Sequence, residues 1–134
     1  MDAINQQKRD LRADLRLRRA GREYDPEFAG GLCVQMAELC LANGAKKVAC
    51  YLAYGDEPDT ELFIDWAIEN QIEVLIPISQ EDGSLTWVRF EGETEIGIFG
   101  FAEPIGEVAK LAGADLIFVP ALAVDSQGQR LGKG

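Results

Sequence analysis

The chain has 134 residues, 47% of them hydrophobic, which suits one globular domain with a real core. Its formal net charge of −10 argues against general binding to nucleic acid or to an anionic membrane. Histidine is absent, which removes Ser-His and Cys-His nucleophile schemes and the commonest metal ligand together.

Residues 2–20 read as an amphipathic helix. Ile4, Leu11 and Leu15 recur at helical spacing, and Lys8, Arg12, Arg16 and Arg19 line a neighbouring face. Residues 1–22 hold seven of the thirteen basic residues and three of the acids, net +4; the remainder carries six bases against twenty acids, net −14. A basic helix on an acidic body either binds a small anion or pairs with that body. Gly21 is a stop signal, and Asp25-Pro26 is a cap followed by proline at the first helical position, opening a helix to about Ala42. Leu32, Met36, Leu39 and Cys40 mark its inner face, and Asn43-Gly44 ends it.

Residues 47–54 (KVACYLAY) form an apolar run between turn signals, the pattern of a strand covered on both faces. The loop GDEPDT leads to a helix over about 61–70, with Leu62, Phe63, Trp66 and Ala67 inward. Residues 73–78 are a second buried strand, 85–90 a third segment with strand alternation, and 91–104 an irregular glycine-rich stretch. A short helix is expected before Gly113, then a further buried strand over 115–124 that runs into VDSQGQRLGKG. Helices alternating with apolar strands predict an α/β fold, with a mainly parallel sheet and helices on both faces. In such sheets ligands sit beyond the carboxyl ends of strands, here the loops after Tyr54, Ile78 and Val124. Cys33, Cys40 and Cys50 lack CxxC spacing and lie in apolar patterns, as buried reduced thiols do. With no signal-peptide pattern and no apolar run of transmembrane length, a cytoplasmic location is expected.

Three stretches carry candidate chemistry. In SQGQRLGKG, two glycines spaced by one residue allow close approach of backbone to an anion, and Arg130 and Lys133 add charge. The stretch lacks GxxxxGK[ST] and GxGxxG, so a plain surface loop also accounts for it. In YGDEPDT, Asp56 has the chemistry of a local turn and Asp59 or Thr60 that of a helix cap. Glu57 has no such task and is a candidate acceptor for a polar ligand. Lys8 and Arg12 stand one helical turn apart, as a phosphate clamp requires, although a solvated basic face shows the same pattern. Tyr51 and Tyr54 flank the site edge, where a ring either stacks on a heterocycle or packs.

Together, KRDLR at 8–12, Tyr51, EPDT at 57–60, FGFAEP at 99–104 and DLIFVPALAVDSQGQRLGKG at 115–134 resemble the 5-formyltetrahydrofolate cyclo-ligase family. The likeness runs in order over essentially the whole chain. It implies a three-layer α/β/α sandwich with a mainly parallel sheet. It also implies ATP- and magnesium-dependent closure of 5-formyltetrahydrofolate to 5,10-methenyltetrahydrofolate, with release of ADP and phosphate. Carried over by position, Lys8, Arg9, Arg12, Arg130, Leu131, Gly132, Lys133 and Gly134 would bind ATP, and Leu52 and Glu57 the reduced folate. No catalytic side chain is assigned, and the partners implied are these small molecules with a monomeric protein. The family pattern continues with further glycine, a tyrosine pair and a magnesium-ligating aspartate, none of which these 134 residues contain. The expectation is therefore a single α/β domain over 1–134 that is the N-terminal portion of a longer one, with no metal ligand of its own and impaired or absent activity. The rival readings are a non-catalytic domain that binds a small anion or a partner, and a sugar-phosphate isomerase or CoA-transferase-like enzyme.

Overall fold

The computed structural model describes residues 2–23 and 25–132. Its elements in chain order are α1 (Asp2–Ala20), α2 (Pro26–Ala42), β1 (Lys47–Ala49), α3 (Glu61–Glu69), β2 (Glu73–Ser79) and β3 (Leu85–Arg89). There follow β4 (Thr94–Ile96), β5 (Ala102–Pro104), β6 (Val108–Ala109), β7 (Leu116–Ile117), β8 (Ala123–Val124) and β9 (Arg130–Leu131). The main sheet has the order β6-β3-β2-β1-β7. Its heart, β2-β1-β7, is parallel, with Val48 opposite Val74 on one side and Leu116 on the other. β3 and β6 extend it antiparallel, Ile76 facing Val88 and Val88 facing Val108. The chain is thus an α/β protein whose central sheet is built on parallel strands, as expected.

The apolar runs explain this centre. Val48, Ala49, Cys50, Val74, Leu75 and Ile76 are all buried, so β1 and β2 are covered on both faces. On one face, Val48, Cys50, Val74 and Ile76 join Met36 and Cys40 of α2 and Phe63, Ile64 and Ala67 of α3 in one cluster. Leu39 and Leu62, expected inside, are about half exposed. The β4–β5 hairpin packs on β2, with Pro104 buried. The helix ends follow their sequence signals: Asp25 accepts from the Glu27 amide at 2.9 Å ahead of Pro26, and Gly44 takes the left-handed φ of +57° that closes α2.

Four expectations need correction, the first being that the strand expected over 47–54 ends at Ala49. No helix precedes Gly113. Residues 108–109 pair with β3 instead, and Lys47 Nζ donates to the carbonyls of Lys110 and Ala112, both at 2.9 Å, holding that segment to the sheet. The single buried strand over 115–124 is also absent. β7 stops at Ile117, and Ala123 pairs with Leu131 in a separate two-stranded ribbon. Pro120 has no amide to donate to a continuing ladder, and Ile117 and Val119 are about half exposed. The glycine-rich 91–104 stretch is not wholly irregular either, since it contains the antiparallel pair β4–β5.

Candidate functional site

α1 meets the body through polar contacts rather than an apolar stripe. It has no buried residue; Ile4 and Leu11 face solvent, and its half-buried positions are Arg12, Leu15 and Arg19, which share one face. Arg12 Nε donates to the Gly132 carbonyl at 3.0 Å, across 120 positions of sequence. About two turns further on, Arg19 Nη2 donates to the Ala121 carbonyl and, at 3.2 Å, to that of Leu122. Arg19 Nη1 lies 3.9 Å from an Asp56 carboxylate oxygen. The predicted N-terminal basic residues and the predicted 130–132 loop are therefore neighbours. Lys8 and Arg9 are exposed on α1, and Lys133 and Gly134 lie outside the described residues.

The ribbon carrying Arg130 is closed by its own side chain chemistry. Asp125 accepts from the amides of Gln127 at 2.9 Å and Gln129 at 2.8 Å, while Gly128 turns at φ +82° and donates to the Asp125 carbonyl. The amides of Gln127, Gly128 and Gln129 are thus used within the turn, while of the two glycines expected to let backbone approach an anion, Gly134 lies outside the described residues. Arg130 is exposed and donates to the Pro120 carbonyl at 3.0 Å; Leu131 and Gly132 are half-buried.

The β1–α3 loop is held from within. Thr60 is buried, and its hydroxyl donates to the Tyr51 carbonyl at 2.6 Å. Tyr51 in turn donates from its hydroxyl to the Pro58 carbonyl at 3.0 Å, and burial pushes its phenol pKa up. Asp59 accepts from the Glu61 amide at 2.9 Å, the local role its type predicts. Asp56 also pairs with Arg19, a long-range contact beyond the local turn its type predicts. Glu57 also has a structural task that sequence reasoning missed, since its carboxylate accepts from the Tyr54 amide at 2.8 Å while its own amide donates to the Tyr54 carbonyl at 3.2 Å. Leu52 is half-buried against the core. The Tyr54 ring, half exposed, sits 4.7 Å from that of Phe101, joining this loop to the β4–β5 hairpin.

Between the end of α1, the start of α2 and the β1–α3 loop lies a cleft of about 650 Å³, lined by Arg19, Arg22, Glu23, Asp25, Asp56, Glu57 and Asp59 among others. Five carboxylates against two guanidiniums suit a ligand that presents N–H donors rather than a bare anion. The cationic groups Arg12 and Arg130 lie instead by Gly132, so one end of this face suits an anion and the other a polar heterocycle. Among the described residues no three His, Cys, Asp or Glu side chains come together as metal ligands. No helix among them is long and apolar enough to cross a membrane.

Fold and cleft together define an α/β protein with a polar cleft beside the loop that follows a parallel strand. The profile of the 5-formyltetrahydrofolate cyclo-ligase family matches residues 4–134, and the chain belongs to that family. It is 35% identical over 109 residues to the 5-formyltetrahydrofolate cyclo-ligase of Mycolicibacterium smegmatis, covering 70% of this chain and 53% of that protein. To the mouse 5-formyltetrahydrofolate cyclo-ligase it is 26% identical over 144 residues, covering 98% of this chain and 71% of the relative. The chain thus spans about half the length of the first relative and under three quarters of the second. The structure of Aquifex aeolicus 5,10-methenyltetrahydrofolate synthetase superposes with a TM-score of 0.81 at 25% identity, over 95% of this chain and 67% of that one. A Mycoplasma pneumoniae 5,10-methenyltetrahydrofolate synthetase shares the fold, with a TM-score of 0.73 at 18% identity, over 95% of this chain and 71% of that one.

Proposed function

We infer that this chain carries binding residues for an ATP-dependent conversion of 5-formyltetrahydrofolate to 5,10-methenyltetrahydrofolate, with ADP and phosphate released. The observation that carries the reading is the contact of Arg12 with Gly132, which draws the basic α1 onto the strand-end loop, in a chain of this family. In this reaction the formyl oxygen attacks the γ-phosphate and the second folate nitrogen closes on the activated carbon as phosphate leaves. The substrate supplies the nucleophile, so a protein without histidine needs only to position it and to neutralise charge that develops on phosphate. Lys8, Arg9, Arg12 and Arg130, with Leu131 to Gly134, would face the nucleotide. Glu57 would accept from the donor edge of the pterin; the Tyr54 amide on its carboxylate fixes that group's direction before the ligand arrives. Leu52 and the exposed ring of Tyr54 would give the heterocycle apolar contact. Magnesium would arrive with the nucleotide's phosphates.

Calorimetry with ATP and with 5-formyltetrahydrofolate, separately, tests this. Each ligand should bind, with Arg12→Ala weakening ATP and Glu57→Gln weakening the folate, each by roughly tenfold, the worth of one charge-assisted hydrogen bond. Binding of neither ligand overturns the reading.

A further inference from the structure

We propose that Arg19 is the positioning residue that sets the nucleotide-side ribbon and the folate-side loop relative to each other. The proposal rests on the functional reading above and adds a residue that no motif in it contains. Three segments distant in sequence converge on this one guanidinium. Its backbone belongs to the last turn of α1, 102 and 103 positions from the two carbonyls that its Nη2 holds. Those carbonyls, of Ala121 and Leu122, lie at the entry to β8, where Leu122 also donates its amide to the Leu131 carbonyl. Nη1 faces Asp56, which immediately precedes Glu57 in the β1–α3 loop. Arg12, on the same face of α1, holds the other strand of the same ribbon just beyond β9, at Gly132.

The chemistry requires arginine. A guanidinium offers five donors in a fixed plane, so one group can hold two carbonyls and a carboxylate at set angles; an ammonium cannot. The Arg19 side chain is only 13% exposed, whereas the other α1 ion pair, Arg18 with Asp14, is largely exposed and confined to the helix surface. Nη1 is buried and has no hydrogen-bond partner among the described residues, because 3.9 Å to Asp56 is too long for one. A buried donor in that position favours any tightening of the β1–α3 loop toward α1. Arg19 therefore acts on ligands through the loops it places rather than by contact.

Hydrogen exchange on the ligand-free chain, combined with the two calorimetric titrations, tests the assignment. Arg19→Gln should speed exchange in 54–59 and in 121–132 together, by roughly tenfold, and leave β2 unchanged. Asp56→Asn should speed 54–59 alone. In calorimetry Arg19→Gln should weaken both ligands, Asp56→Asn only the folate, and Arg19→Lys should recover only part of the loss. Unchanged exchange in both segments overturns the proposal. Equal acceleration in β2 does so too, because Arg19 would then be a general stabilising contact. If the unsubstituted chain binds neither ligand, the functional reading fails while the exchange comparison still decides whether Arg19 ties the loops.

Discussion

Among the described residues Thr60 is the polar side chain that is buried outright, and its short bond to the Tyr51 carbonyl ties the start of α3 to the end of β1. Valine has nearly the same shape but no donor, so Thr60→Val would leave the Tyr51 carbonyl with only the weak Cys50 thiol contact at 3.7 Å, at nearly unchanged packing. The expected cost is about 1–3 kcal/mol, seen as a lower urea midpoint at unchanged slope, and Thr60→Ser should recover most of it. A valine variant as stable as the parent would show that the bond contributes nothing. Cys50 gives a second test, now against pH. Burial pushes its thiol up to about 12 from an ordinary 9.0. The folded state therefore holds the proton more tightly than the unfolded chain does. Its contribution is fully present below pH 9 and is lost as pH rises toward about 12. Cys50→Ala should flatten the alkaline fall in unfolding free energy over that window, although its cavity lowers stability at neutral pH. An alkaline limb identical in both proteins would assign the fall to other groups.

At the scale of elements, legibility in the sequence tracks whether the determining contacts are local. The N-terminus of α2 was readable because Asp25 caps it two residues away, and β1 and β2 were readable because strands covered on both faces need uninterrupted apolar side chains. The 108–124 region was not. It has enough apolar residues for one long strand, yet its course depends on which distant edge each pair of residues joins: Val108–Ala109 on β3, Leu116–Ile117 on β1, Ala123–Val124 on β9. α1 shows the same limit inside a helix whose bounds were anticipated closely. Its apolar positions recur at helical spacing, but Ile4 and Leu11 face solvent and arginines at 12 and 19 make the long-range bonds. A guanidinium that seeks a backbone carbonyl a hundred residues away leaves no periodic signature, because every residue has a carbonyl. The sequence singles out Glu57 for its carboxylate and its place after a strand, while its local bond to the Tyr54 amide cannot be told from spacing. Within SQGQ, Asp125 lies close enough to take the amides of Gln127 and Gln129 itself, a local contact that composition does not show.

For the whole molecule these differences predict a graded rather than uniform resistance to opening. The ladder around β1 is bonded on both sides: Cys50 donates to the Leu75 carbonyl and Phe118 to that of Ala49, both under 3.0 Å, inside a cluster that excludes water. Exposing those amides requires separating α2 and α3 from the sheet, which is close to global unfolding. α1 has no buried side chain and is retained by a few bonds at its Arg12 and Arg19 positions, so its first turns can open without disturbing the core. The β8–β9 ribbon pairs only two residues a side and is the next least constrained. Native-state hydrogen exchange should therefore rank amides of β1 and β2 above those of β8–β9, and these above residues 4–11 of α1. The ends of that scale should differ by about a thousandfold or more, roughly 4 kcal/mol in opening free energy. Raising salt should widen the gap, because screening weakens the charged contacts of α1 and leaves apolar burial intact. Equal protection in α1 and β2 would mean that the basic helix is integral to the core, and that the site's cationic side is as rigid as the sheet it is docked on.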